Sequence, residues 1–184
     1  MPYTGKNKTI GGGTEMLNRI WTDLEIGRVK TSIEPDPNDL QLWYRYIVRR
    51  RIYDTYPGDS AALEDIVVWA LESAIYIADT CDVVGREMQT LNDSVETLEA
   101  TINENAVIGV SEYIETRIKI VQLRARIRDM ETAYRDLHSF IAKIRAALED
   151  HFGSKTPWLK AGDFVFKLAS GTMTIQRGCQ SATL

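Results

Sequence analysis

The sequence predicts a mainly α protein: a long antiparallel helical hairpin, coiled-coil-like, with short N-terminal helices before it and a small C-terminal β-hairpin after it. Two long apolar seams with heptad spacing predict the helices, and a break of phase with a reversal of charge predicts that the chain folds back between them. A short alternating stretch near the C-terminus predicts the strands. The chain divides accordingly into 1–58, a tail and two short helices; 59–152, the hairpin with its turn near 103–110; and 153–184, the β segment. At 184 residues it has the size of one domain, and no second independent core is expected.

Taken in order, Met1 to Gly13 is polar and glycine-rich and reads as a flexible start. Gly5 and Lys6 with Gly11, Gly12 and Gly13 do not form a phosphate-binding loop, because Asn7 follows the lysine where Ser or Thr is needed and no strand precedes it. Thr14 is placed to cap a short helix whose Leu17, Ile20, Trp21 and Leu24 share a face, with Gly27 as its stop. After Pro35 and Pro37, Asn38 or Asp39 can cap a second helix bearing Leu40, Trp43, Tyr44, Ile47 and Val48, which ends near Pro57 and Gly58.

Asp59 or Ser60 then opens the first long helix. Leu63, Val67, Ala70, Ala74, Ile77, Cys81, Val84, Met88, Leu91, Val95, Leu98 and Ile102 alternate four and three apart along it. A second apolar row of Val68, Leu71 and Ile75 marks its beginning as covered on two sides, with the N-terminal helices as the expected cover. The second long helix, from about Ser111 to His151, repeats the spacing through Tyr113, Ile120, Leu123, Ile127, Met130, Tyr134, Leu137, Ile141, Ile144 and Leu148. Thr116 takes the one polar seam position, and Gly153 and Pro157 end the helix. Beyond it Phe164, Phe166 and Leu168 alternate with Val165 and Lys167, Ser170 and Gly171 supply a turn, and Met173 and Ile175 alternate after it.

Counting heptads straight on from Ile102 puts Gly109 and Glu112 at core positions, so the second seam is four residues out of phase. A continuous rod would have to absorb that stutter; a hairpin would not. From 87 to 116 the charged residues are all acidic, among them Glu87, Glu96, Glu99 and Glu104, whereas from 117 to 128 they are Arg117, Lys119, Arg124, Arg126 and Arg128. Folding back lays one along the other, while parallel copies of a rod would set Lys119 near Arg124 of a neighbour. The hairpin also layers Ile120 near Leu98, Ile127 near Leu91, Tyr134 near Val84, and Ile144 and Leu148 near Ala74 and Ala70, so that large faces small. Each limb would be about 65 Å long, against about 135 Å for a single rod.

One row of apolar residues is left over. Ile114, Ile118, Val121 and Ala125 lie away from the main seam, close to a tip formed by Ala106, Val107, Ile108, Gly109 and Val110. A two-helix hairpin with spare apolar surface points to self-association, so a homo-oligomer is expected with Ile114, Ile118, Val121, Ala125, Val107, Ile108 and Val110 at its interface.

Catalytic constellations are not found. Only His138 and His151 are present, and Arg135 and Leu148 stand three residues before them where a di-iron bundle needs glutamate. Glu149 and Asp150 are adjacent on a helix and diverge. Cys81 and Cys179 have neither disulfide-framework nor metal-site spacing and read as free thiols. No enzyme activity, metal or cofactor is expected. The net charge of −4 is too mild to demand a polyanionic partner. The start of the chain lacks the apolar run of a secretory signal, and the most apolar stretch, Ala61 to Val84, is interrupted by five acids, so no membrane span is read. A soluble protein, intracellular or within a viral particle, is expected.

Arg45, Arg49, Arg50 and Arg51 are interleaved with Trp43, Tyr44, Tyr46 and Tyr53, a mixture that suits phosphate contact and base stacking. These arginines are the candidate nucleic-acid contacts, although consecutive arginines point in different directions on a helix, and the alternative is an amphipathic helix whose aromatics are core and whose arginines pair with acids of the first long helix. Two functions follow as expectations. The first is a non-enzymatic, oligomer-forming structural or adaptor subunit of a larger assembly, such as a virion connector, collar or fibre base, whose partners are itself and other assembly proteins. The second is a nucleic-acid-binding assembly factor. In layout alone the chain resembles viral small terminase subunits, which join an N-terminal DNA-binding region, an oligomerising helical hairpin and a small β tail. The resemblance implies DNA contact through the N-terminal helices, yet the prolines at 35 and 37 lengthen the connection beyond that of a helix-turn-helix.

Overall fold

The computed structural model describes residues 5–105 and 107–184, with side chains from residue 13 onward. Four helices, α1 (Gly5–Asp23), α2 (Leu40–Asp54), α3 (Leu63–Glu104) and α4 (Val110–Phe152), precede four strands, β1 (Leu159–Ala161), β2 (Phe164–Ala169), β3 (Thr172–Arg177) and β4 (Gln180–Thr183). The hairpin is formed by α3 and α4, which pack along each other.

The helix boundaries differ from the sequence reading in instructive ways. α1 starts at Gly5, so Thr14 is an interior residue and not a cap; residues 1–4 lie outside the described part of the chain. Gly13 is buried, and a Cβ placed on it would sit 3.4 Å from a Leu63 methyl and 3.6 Å from an Ile66 methyl. These are ordinary contact distances, so α1 packs on α3 here at a spacing that alanine would also fill. The turn after α1 falls at Glu25 and not at Gly27: Glu25 takes the left-handed conformation at φ 56°, and a 3-10 helix, Ile26–Thr31, follows. α2 is capped as expected, the Asp39 carboxylate accepting the Leu42 amide at 3.3 Å.

α3 opens at Leu63, beyond Asp59 and Ser60, with no side-chain cap; Glu64 and Asp65 in its first turn complement the helix dipole instead. α4 opens at Val110 behind Gly109, again uncapped, and Ser111 lies inside the helix, where its hydroxyl donates to Glu115 at 3.2 Å.

Buried side chains form two clusters. The larger joins the base of the hairpin to α1, α2 and the sheet in one continuous core, from Ile66 to Val84 on α3 and from Met130 to Leu148 on α4. The buried residues of the C-terminal segment, Ala161 to Ile175, belong to this same core. The smaller cluster consists of Val95, Ile120 and Ile127, with Leu91, Leu98, Ile102 and Leu123 half-buried around it, and lies in the part of the hairpin that projects as an arm. The expected layering of Ile120 and Ile127 against Leu98 and Leu91 is therefore present. Tyr134 lies against Gly85, next to the expected Val84.

The charge reversal operates as well. Arg124 bonds Glu99 across the arm, and Arg126 bonds Glu87 at 2.9 Å. Such exposed pairs are each worth at most about 1 kcal/mol. They select the register more than they hold it.

A third face of α4, Ala133, Phe140 and Ala147, is also buried, and α1 and α2 both pack on this helix. The C-terminal segment is a meander, β1-β2-β3-β4, antiparallel throughout. The expected β-hairpin is its central pair, with Phe166 opposite Ile175 and Leu168 opposite Met173, and one further strand lies on each side. Phe164, Phe166, Leu168, Met173 and Ile175 are buried on one face of it. That face meets the base of the hairpin, where Phe152 and Phe166 are edge to face at 5.8 Å.

The sheet also shares the cover of the second apolar row of α3, for which the sequence points to the N-terminal helices. Gly162, at φ 54°, places its α-carbon against Val68 so tightly that a Cβ would stand 3.0 Å from a Val68 methyl, and its amide donates to Glu64 at 2.7 Å. A turn with positive φ at the point of closest approach leaves glycine as the residue that fits.

The unequal clusters imply unequal local stability. Leu137→Ala, in the larger core, is expected to cost about 3 kcal/mol in denaturant unfolding. Amide exchange in 95–104 and 113–121 is expected to be at least about tenfold faster than in 66–84 and 133–148, because the arm opens without breaking the body. Uniform protection along both helices would contradict this division.

Candidate functional site

The arm carries the one long apolar face that the chain leaves open among its described residues. At 100° per residue, Ile114, Ile118, Val121 and Ala125, spaced four, three and four, fall on the side of α4 opposite Ile120 and Ile127, which face α3. Val110 and Val107 continue the row to the tip at 77% and 96% exposure, and Ile114, Ile118 and Val121 are each more than half exposed. Ala125 and Ile108 are half-buried, and Ala106 lies outside the described residues. Tyr113, expected in the main seam, is exposed near the tip and joins neither core cluster, because the packed part of the arm ends at Ile120; the remaining large exposed apolar residues, Ile33, Leu42, Val83 and Trp158, come from four different segments of the body.

This surface is a product of the fold-back. Only one seam of α4 can face α3, and α1 and α2 reach α4 only along the body. Charged residues flank the row unequally. Arg117 and Arg124 lie along one edge, and Glu115, Gln122 and Asp129 lie along the other. Arg117 and Asp129 have no ion-pair partner among the described residues.

The four candidate nucleic-acid contacts are not brought together on one surface. Arg49 is the most enclosed. Its guanidinium donates to the Leu24 carbonyl at 2.8 Å and to Glu25 at 2.7 Å, and stacks over Phe140 at 5.2 Å. Burial, with Arg45 nearby, lowers its pKa from the ordinary guanidinium value. Arg45 stands 3.7 Å from Asp136, and its Nε and one Asp136 oxygen are buried without a hydrogen bond. Arg50 pairs with Asp54 at 3.1 Å in solvent. Arg51 stacks over Tyr76 at 5.6 Å and lines a cleft of about 250 Å³ with Glu72, Asp79 and Arg177. These directions follow from three consecutive arginines at 100° intervals.

A junction that spacing alone did not disclose lies where the arm leaves the body. Glu87 accepts from the Tyr44 hydroxyl at 3.1 Å through one oxygen and from Arg126 at 2.9 Å through the other, so a single carboxylate ties α2, α3 and α4. Burial and this carboxylate push the Tyr44 pKa up. The signal in the sequence was an acid facing two basic or hydroxyl partners from distant segments, which no local pattern reveals.

His138 is exposed and packs edge to face on Tyr134 at 4.5 Å; His151 does the same on Phe152 at 4.6 Å. Among the described residues, no cluster of His, Cys, Asp and Glu is arranged to hold a metal ion. Cys81 and Cys179 are both free thiols; burial pushes Cys81 up to about 11, and Cys179 is exposed. Among the described residues no helix is long and apolar enough to cross a membrane.

No protein family, no curated protein and no solved structure matches the chain.

The contacts of Arg49 and Arg50 predict opposite outcomes for the same change. Arg49→Ala removes a donor pair from a partly enclosed carbonyl and carboxylate and is expected to lower stability by about 2 kcal/mol, with Arg49→Lys restoring little, because lysine lacks the fork. Arg50→Ala is expected to stay within about 0.5 kcal/mol. Thermal or denaturant unfolding of the three variants reads both, and equal losses for Arg49→Ala and Arg50→Ala would overturn the assignment.

Proposed function

We propose that the protein is a non-enzymatic, oligomer-forming structural or adaptor subunit of a larger assembly, in which the α4 face of the arm is the contact between copies. The observation that carries this reading is the row Val110, Ile114, Ile118 and Val121, aligned on one helix face and left in water. Water is a poor neighbour for four aligned aliphatic side chains, and covering them recovers about 25 cal/mol per Å². A closed symmetric assembly covers the row by repeating one contact. A virion component such as a connector, collar or fibre base is a concrete form of this role. Such a part needs a rigid arm for self-association and a separate body to dock other proteins.

A second reading, a nucleic-acid-binding assembly factor, draws on Arg51, which is exposed and has no ion pair among the described residues, and on Arg50 beside it. Phosphates would have to win Arg45 and Arg49 away from Asp136 and Glu25. Salt-sensitive DNA or RNA binding that is lost in an Arg50→Ala, Arg51→Ala variant would favour this second reading; the first expects no such binding.

Sedimentation velocity at tens of micromolar is expected to give a multiple of the chain mass for the wild type. Ile118→Glu is expected to weaken association at least about tenfold while leaving the helical signal and the melting transition in place, since residue 118 contributes to neither core cluster. A wild type that sediments as a monomer at that concentration would remove the proposal.

A further inference from the structure

We propose that the open face of α4 pairs with the same face of a second copy in parallel orientation, tip beside tip, and that the charges along its edges favour this over the antiparallel arrangement. This rests on the reading of the arm as a self-association site and adds the direction of the contact.

The open row is itself a heptad seam. Ile114 and Val121 take the d positions, and Ile118 and Ala125 take the a positions, so the flanking e and g positions are fixed. Arg117 and Arg124 fall at g; Glu115, Gln122 and Asp129 fall at e. The two edges of one helix therefore differ in charge. That asymmetry distinguishes the two ways in which identical helices can meet.

In a parallel pair each g residue faces the e residue five positions later on the partner. Arg124 then faces Asp129 of the second copy, Arg117 faces Gln122, and by symmetry each contact occurs twice. In an antiparallel pair g faces g. Aligning Ile118 with Val121 then sets Arg117 against Arg124, also twice, and the two like-charge contacts oppose the packing. Arg124 already bonds Glu99 within its own chain, but the guanidinium has five N–H donors and retains capacity for a second carboxylate. Asp129 is exposed with no partner among the described residues.

The extent of the seam agrees with a contact confined to the arm. Arg128 and Thr132 occupy the next d and a positions, so the apolar row stops after Ala125, near the level where Glu87 joins α2 to the arm. Towards the tip the next a position is Ser111 and Val110 falls at g, so the apolar row is confined to Ile114 through Ala125, with exposed Val107 and Val110 beside its end. α1 and α2 cover the Phe140 side of α4, which is displaced from the row around the helix.

Cysteine crosslinking of the full chain, carrying Cys179→Ser and retaining buried Cys81, tests the direction. Ile114→Cys and Val121→Cys are each expected to form a disulfide with their own kind under mild oxidation, because parallel pairing brings equal positions together. Mixing Ile114→Cys with Ala125→Cys is expected to give no more crosslinking than chance. If the mixed pair crosslinks and the like pairs do not, while sedimentation still shows the oligomer, the parallel direction is overturned and the self-association reading stands. If sedimentation shows an oligomer but none of these pairs crosslinks, the face is not the contact and the proposal fails. A monomer throughout removes both.

The charge argument has its own test. Asp129→Arg is expected to weaken association about tenfold by placing two arginines opposite each other, and adding Arg124→Asp with Glu99→Arg, which keeps an ion pair across the arm, is expected to recover most of the loss. Equal weakening in that triple variant would overturn the e and g assignment.

Discussion

Everything in this structure depends on the register between α3 and α4. The two helices meet through seams that are out of phase in sequence and come into phase only when the chain reverses at Gly109. Once reversed, Gly85 on α3 lies against Tyr134 on α4, and Ala70 and Ala74 are buried in the same core as Ile144 and Leu148. The turn itself contributes little: α3 ends and α4 begins without a side-chain cap. Register is therefore held by interdigitated apolar side chains over many turns and by the exclusion of alternatives. A shift of one turn would bring large residues together and set Arg124 and Arg126 away from Glu99 and Glu87.

The same pair of helices lives in two environments. In the body, α4 is covered on two faces, by α3 and by α1 with α2, while α3 also meets the sheet through Val68. In the arm each helix has only the other. The division is already encoded in composition, because the buried third face of α4, with Ala133, Phe140 and Ala147, begins only where the α1 and α2 layer begins. Towards the tip the same positions carry Arg126, Lys119 and Glu112, and the spare apolar residues Ile114, Ile118 and Val121 lie on a different face. The arm thus preserves apolar character where the chain supplies no cover of its own. The free energy that holds the body together is collected at its base, and the arm adds little to it.

Much of this was legible in sequence because it obeys a period. The heptad seams, the phase break and the alternation of Phe164, Phe166 and Leu168 are regular enough to fix helix, turn and strand without tertiary knowledge. Helix starts were less legible. Thr14, Asp59, Ser60 and Ser111 are all good capping residues, yet the helices begin elsewhere, because packing of Gly13 on Leu63 and acids in the first turn of α3 outweigh one capping hydrogen bond. The outer strands were missed because β1 and β4 are short and carry little alternation of their own; they are strands by pairing with β2 and β3. The open row of α4 was visible as apolar residues off the seam, and its exposure follows from the fold. The contacts of Arg45, Arg49 and Glu87 join residues 24 to 91 positions apart, and no local pattern carries such information.

The Glu87 junction gives the molecule a mechanical character. α3 and α4 run unbroken from the sheet to the tip, so the arm, about 25 Å long at 1.5 Å per residue, is continuous with the core at its base. A transverse push at the tip is then borne as bending of a double rod about the level of Glu87, where Tyr44 braces one side and Arg126 the other. The arm is therefore joined to the body by two continuous helices and, across to α2, by one side-chain junction.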